Sequence, residues 1–243
     1  MALVAFGAVV VQSLVTSDVW GKPPKLLVPA LVILTGLAVF RDNVVNVNAR
    51  LREPERQRLR VQSQKVATSA MYSVSQLRSI PMPDLGVSVF LIERTGWIRR
   101  VEMLARLIRV RLKDAPQASD ILWTQGKGVI GRAWESRRPV HEATGHLAEK
   151  YGARDLSESV WSRVSKTAKQ GFTRDEFITT VHKYAEILAV PIKDDQGVVL
   201  GVVSLDLAMF TKLDRSRTWL SGPEVEEIVS VAADLIAKTL KKA

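Results

Sequence analysis

Ser204 and Asp206 come nearest to chemistry in this chain. They stand two apart in an apolar run, so on a strand they share one face, and a hydroxyl beside a carboxylate supplies two members of a nucleophilic triad. No histidine is placed by sequence to complete it, so both are read as the end of a hairpin strand. The three histidines, His141, His146 and His182, never fall at the i, i+4 spacing of a helical metal site. The absence of cysteine excludes disulfides, thiolate metal centres, thioether-linked chromophores and thiol catalysis. Gly126, Gly128 and Gly131 spell the G-x-G-x-x-G of a dinucleotide turn, but that turn needs an apolar strand before it and a long helix after it. Here Ser119 to Gln125 is short and mixed, Pro139 stops the following helix, and no βαβ unit follows. The expectation is therefore no catalytic residue, no metal and no enzyme.

The elements that would position these residues follow from periodicity. Ile187 to Ile192 and Val198 to Leu205 are two apolar runs joined by Lys193-Asp194-Asp195-Gln196-Gly197, whose Asp and Gly suit a hairpin loop. Gly86 to Glu93 reads as a strand, followed by a turn at Arg94-Thr95-Gly96. Within Leu107 to Leu112, Ile108, Val110 and Leu112 alternate with Arg109 and Arg111, which predicts a strand with one wet face. From Glu55, the residues Leu59, Val66, Ala70, Tyr72, Leu77 and Ile80 recur at helical spacing, with Pro54 in the first turn. A last helix starts at Ser221-Gly222-Pro223-Glu224 and runs to Lys241, its acidic residues at the positive end of the dipole. Between Glu142 and Lys183 the chain is irregular, with at least one short helix between Asp155 and Ala168. The predicted class is α+β: an antiparallel sheet flanked by helices.

The glycine turn, together with Ala189-Val190-Pro191-Ile192 and Gly201-Val202-Val203-Ser204-Leu205-Asp206, resembles the GAF family of small-ligand sensor domains over roughly Glu55 to Ala243. In that family such a turn precedes a helix, and such a hairpin forms the sheet centre. The resemblance implies sensing through a cupped sheet face, often in a dimer whose first and last helices bundle. It makes Trp161, Phe172, His182, Tyr184, Ser204 and Asp206 candidate ligand contacts. A packed or solvent-facing role is the alternative for His182, and a core role for Trp161, Phe172 and Phe177. Relatives that bind a bilin through a thioether or reduce methionine sulfoxide with a thiol lack a counterpart here, since cysteine is missing. There is no N-K-F-D-E of the cyclic-nucleotide subgroup, and the sequence names no cofactor.

The 243 residues carry a net charge of +10. Ala2 to Val15 and Leu26 to Phe40 are apolar runs that, counted with their flanks, approach the roughly 17-residue lower limit of a membrane span. No basic residue opens the chain, as a signal peptide would require. The reading is a transmembrane helical hairpin over 1–41, a basic juxtamembrane linker over 42–54 and a GAF-like domain over 55–243. Arg41, Arg50, Arg52, Arg56, Arg58, Arg60 and Lys65 outweigh Asp42, Glu53 and Glu55, while the loop Ser17 to Lys25 holds only two lysines. The positive-inside rule then puts both the N-terminus and the large domain in the cytoplasm of a multi-pass cell-membrane protein. With no output region read after the domain, the expected function is a membrane-anchored, non-enzymatic sensor or adaptor that signals through a separate output protein. The alternative is a membrane scaffold whose GAF-like fold binds protein and no small ligand. The expected partners are membrane lipid, a small-molecule ligand, an output protein and a second copy of the chain as a homodimer. Nucleic acid is not among them, for no recognised motif accompanies the charge.

Overall fold

A computed structural model describes residues 27–95, 101–152, 156–214 and 216–241, with side chains in the first helix from Glu53 onward. The chain divides into two compact units, Met1–Gln57 and Arg58–Ala243. In the first unit the run Ala2 to Val15 and the loop after it lie outside the described residues. The second apolar run is helical backbone from Leu27, the start of α1 (Leu27–Arg78). Among the described residues taken with their side chains, no helix is long and apolar enough to cross a membrane. Pro54, expected in a first turn, stands inside α1.

The second unit is built on β1 (Leu85–Thr95), β2 (Val101–Arg111), β3 (Val140–Ala143), β4 (Tyr184–Lys193) and β5 (Val199–Ala208). They form one sheet in the order β2-β1-β5-β4-β3, every pairing antiparallel. The β4–β5 hairpin lies at its centre, as the two apolar runs require. Its loop is closed by Asp194, whose Oδ1 accepts from the N–H groups of Gln196 and Val198 at 2.9 and 2.8 Å.

Alternation divides the sheet into two faces. Leu85, Val87, Val89, Leu188, Val190, Val203, Leu205 and Leu207 join one buried cluster with the last part of α1 and with α7 (Pro223–Leu240). The α1 stripe in that cluster is Ala67, Met71 and Val74, continued by buried Leu59 and Ala70. The expected stripe had the wrong phase at its C-terminal end: Tyr72 and Leu77 are 55% and 47% exposed. The true stripe mixes small Ser63, Ala67 and Ala70 with Leu59, Met71 and Val74. Arg78 closes the layer, donating from Nη2 to the Ser221 carbonyl at 2.8 Å and to Glu224 at 3.2 Å.

The opposite face is covered by α2 (Gly128–Ser136), α3 (Gly145–Tyr151), α4 (Glu158–Ser162), α5 (Lys166–Lys169) and α6 (Arg174–Val181). The segment expected to be irregular is therefore a chain of short helices after β3. Asp155 itself lies outside the described residues. Helix α6 starts with a capping box: Thr173 Oγ1 accepts from the Glu176 N–H at 3.3 Å, and Glu176 Oε2 accepts from the Thr173 N–H at 2.8 Å.

Candidate functional site

Between this helical cover and the sheet lies a largely enclosed cavity of ≈ 50 Å³. Sheet alternation supplies its floor: Ser88 and Phe90 from β1 stand opposite Ser204 and Val202 of β5. Phe90, Trp123, Val129, Ile130, Phe172 and Phe177 make the apolar part of the wall, and Ser88, Arg106, Ser119, Ser204 and Asp206 the polar part. The aromatic rings meet edge-on, Phe90 to Trp123 at 6.2 Å and Trp123 to Phe172 at 5.8 Å between centroids.

The glycine turn positions this wall. The Gly126 N–H donates to the Gly131 carbonyl at 3.0 Å, and the Gly128 N–H to the Gln170 carbonyl at 2.8 Å, so the turn is tied to the chain just before Phe172. Gly128 has φ +58°, and a Cβ there would lie 2.8 Å from Phe172 Cζ and 3.0 Å from the Trp123 ring. Positive φ and the two rings both demand glycine. No phosphate role is needed to explain it. Arg132 and Gln170 both donate to Glu142, which pins α2 and the α5 end to β3. Lys127 reaches Glu176 at 2.9 Å, linking the turn to α6. Burial alone would push the Glu176 carboxyl up, but the Thr173 backbone N–H and the Lys127 ammonium hold it below the ordinary carboxylate value.

Of the six residues proposed from sequence, Phe172, Tyr184, Ser204 and Asp206 line the cavity. Trp161 does not. It sits one layer back in a separate cluster, 5.3 Å from the Phe177 ring, and supports that ring from behind. His182 is exposed at the C-cap of α6 and faces Gly152, where a Cβ would stand 2.2 Å from His182 Cε1. Among the described residues no group of three or more histidine, aspartate or glutamate side chains is placed to hold a metal ion.

Sequence reasoning missed the basic side of the site. Arg109 and Arg111 were read as a wet face, yet the Arg111 side chain is 2% exposed and ion-paired with Asp206, itself 9% exposed. Pairing across the sheet explains the error: Arg106, Arg109 and Arg111 stand opposite Phe90, Ser88 and Gly86, on the cavity side. Arg106 lies with its guanidinium 5.3 Å from the centroid of the Phe90 ring and donates to the Ser119 carbonyl at 3.3 Å. Lys183 donates to Ser119 Oγ at 2.9 Å. Burial pushes Arg106 and Lys183 below their ordinary values, and Arg111 down to about 10; neighbouring Arg109 acts in the same direction on all three.

No family model matches the sequence, and no curated protein matches it. Solved structures do. The chain is similar to the type II free methionine-R-sulfoxide reductase of Thermoplasma acidophilum at 17% identity, covering 74% of this chain and 96% of that one, with a TM-score of 0.38. It is similar to the fRMsr of Staphylococcus aureus at 17% identity, 76% and 94% coverage and a TM-score of 0.39. It is also similar to the GAF domain of the Acinetobacter phosphoenolpyruvate-protein phosphotransferase at 10% identity, 79% and 94% coverage and a TM-score of 0.42. These are likenesses of fold, and no ligand or reaction passes from those proteins to this chain. One expectation does not stand: the chain was read as no enzyme, and two of these similar structures are reductases, so the fold is not confined to domains without catalysis. The sheet order, the glycine turn leading into α2 and the α1–α7 layer on the far face make residues 58–243 a GAF-like domain.

Proposed function

We propose that the chain is a membrane-anchored sensor or adaptor whose GAF-like domain takes a small ligand into the cavity and signals through a separate partner protein. The observation that carries this reading is the cavity itself: one wall apolar, the other holding hydroxyls and a guanidinium that converge from β1, β2 and β5. The anchor, a hairpin over 1–41 followed by a basic linker over 42–54, is supported by the two apolar runs and by the arginines after Phe40, and the same asymmetry favours a cytoplasmic domain. Exposed Tyr72 and Leu77 on α1, with Val231 and Leu235 on α7, support a homodimer built through the terminal helices. Native against denaturing mass spectrometry of the full chain in detergent tests the ligand. A mass lost on denaturation supports the sensor, and its oligomer peaks report the dimer. A reporter fused after Ala243 tests the topology, and an external signal overturns it.

A second reading is favoured by the size of the space. About 50 Å³ is well below the roughly 300–1,000 Å³ of pockets for drug-sized ligands, because Trp123, Phe172 and Phe177 fill it. On that reading the domain is a membrane scaffold that binds protein. A bare mass at every oligomer peak, with a partner captured equally by wild type and by Ser204→Trp, would favour it.

A further inference from the structure

We infer that the cavity is built for a small monocarboxylate, its carboxylate held on the Arg106 side and its few carbons against Phe90 and Trp123. This rests on the ligand-binding reading above. The sheet brings four cations to this side, Arg106, Arg109 and Arg111 from β2 and Lys183 at the entry to β4; of these Arg106 lines the cavity, while Arg109 donates to the Pro116 carbonyl and Lys183 to Ser119. The acidic groups near them are Asp206, spent on Arg111; Asp84, which pairs with Lys113 at 3.1 Å and accepts from Thr211 Oγ1 at 2.9 Å; and exposed Asp120. Positive charge is therefore in excess where water is scarce.

The second observation is orphaned donors. Arg106 Nε, on a side chain that lines the cavity, is buried without a hydrogen-bond partner; so are Nε and Nη1 of Arg111, which pairs with Asp206 and does not itself line the cavity. Buried polar groups are otherwise almost always satisfied, and an unpaired guanidinium N–H is a costly group to leave dry. The fold makes room for this arrangement on purpose: Arg111 lies across Gly86, where any Cβ would stand 2.3 Å from Nη2. Burial disfavours these charges, as the lowered values of Arg106, Arg111 and Lys183 record, and a bound anion offsets that cost.

The remaining walls choose among anions. Inorganic phosphate carries oxygens on every side and would press them against Phe90, Trp123 and Val129. A short acid has one polar end, which suits guanidinium donors, and one apolar end. The ≈ 50 Å³ volume limits the occupant to a few heavy atoms.

The test is thermal unfolding of the full chain with acetate, propionate, butyrate, their three amides and inorganic phosphate, at ionic strength fixed with chloride. At least one acid is expected to raise the melting temperature while its amide does not. Arg106→Gln should weaken that acid about ten-fold or more, and Arg106→Lys should restore part of the affinity. If neither variant folds, the acid-against-amide comparison on wild type decides alone. Amides that match the acids overturn the anion and leave a small-ligand site standing. A response to phosphate and to no acid overturns the carboxylate. No response to any acid also overturns it; a mass retained in native spectra then keeps the sensor reading, and a bare mass removes both.

Discussion

Asp206→Asn removes one charge from a pair that has almost no solvent to fall back on. Arg111 and Asp206 are 2% and 9% exposed, and the guanidinium lies in the space that Gly86 leaves by having no side chain. Breaking a buried pair by removing one partner costs about 3–5 kcal/mol, and the amide oxygen of asparagine still accepts one hydrogen bond, so the lower end, about 3 kcal/mol, applies. For a domain of this size each kcal/mol lowers the melting temperature by about 2–4 °C, which gives a fall of roughly 6–12 °C. Urea unfolding of the full chain, followed by tryptophan fluorescence, measures the same loss directly. The double variant Arg111→Met, Asp206→Leu is the decisive partner, since replacing both charges by apolar groups is often neutral. It should unfold within about 1 kcal/mol of wild type. A single variant within about 1 kcal/mol of wild type, or a double variant that loses the sum of the singles, would refute the assignment of this pair as a buried, mutually dependent unit.

Phe177→Ala removes a ring packed 5.8 Å from Tyr151 and 5.3 Å from Trp161, and it should cost about 3–5 kcal/mol in urea unfolding. Glu176 is held below the ordinary carboxylate value, so its stabilisation is complete above about pH 4.3 and is lost as pH falls through its lower folded value. Glu176→Gln should therefore lower stability at pH 7 and flatten the acid limb of the stability profile. Gly128→Ala and Gly197→Ala both force an L-residue to positive φ, a strain of about 1–2 kcal/mol, but nothing lies within 4 Å of a Cβ at Gly197 while Phe172 and Trp123 crowd the one at Gly128. The melting temperature of the Gly128 variant should fall clearly further.

The hairpin, its loop and the last helix were legible because apolar runs, turn residues and a Pro-led helix start are local signals. The central strands are buried on both faces, so their long apolar runs stated their place without needing a partner. The α1 stripe was legible only in part: Ser63, Ala67 and Ala70 are buried but weakly apolar, and exposed Tyr72 and Leu77 supplied a false phase. Phe172, Tyr184, Ser204 and Asp206, drawn from the family resemblance, line the cavity. Trp161 and His182 lie away from it, which the sequence could not show: an aromatic or a histidine in a chain of short helices has no periodicity to say which side it faces. Ser88, Arg106 and Trp123 were missed because each becomes a wall residue only when distant strands meet.

The arginines carried a signal in their spacing. Along β2 the basic residues fall at 106, 109 and 111, which breaks strict alternation, and the break is physical: register shifts between Val89 and Phe90, so that Val89 pairs with Ile108 and Phe90 with Arg106, leaving Leu107 as an extra residue. A one-residue insertion exchanges the two faces of a strand beyond it. Strict alternation continued from Leu104 and Arg106, with Leu107 in the ladder and no bulge, would send Arg109 and Arg111 towards the layer of Val87, Val89 and α1, and Ile108 and Val110 towards the cavity. With the bulge, Ile108 and Val110 join the apolar cluster, while both arginines come round to the side of Arg106. The bulge is thus what gathers the positive charge of β2 on one face. Burying that charge is tolerable only because Asp206 stands opposite Gly86, where the Arg111 guanidinium can reach it.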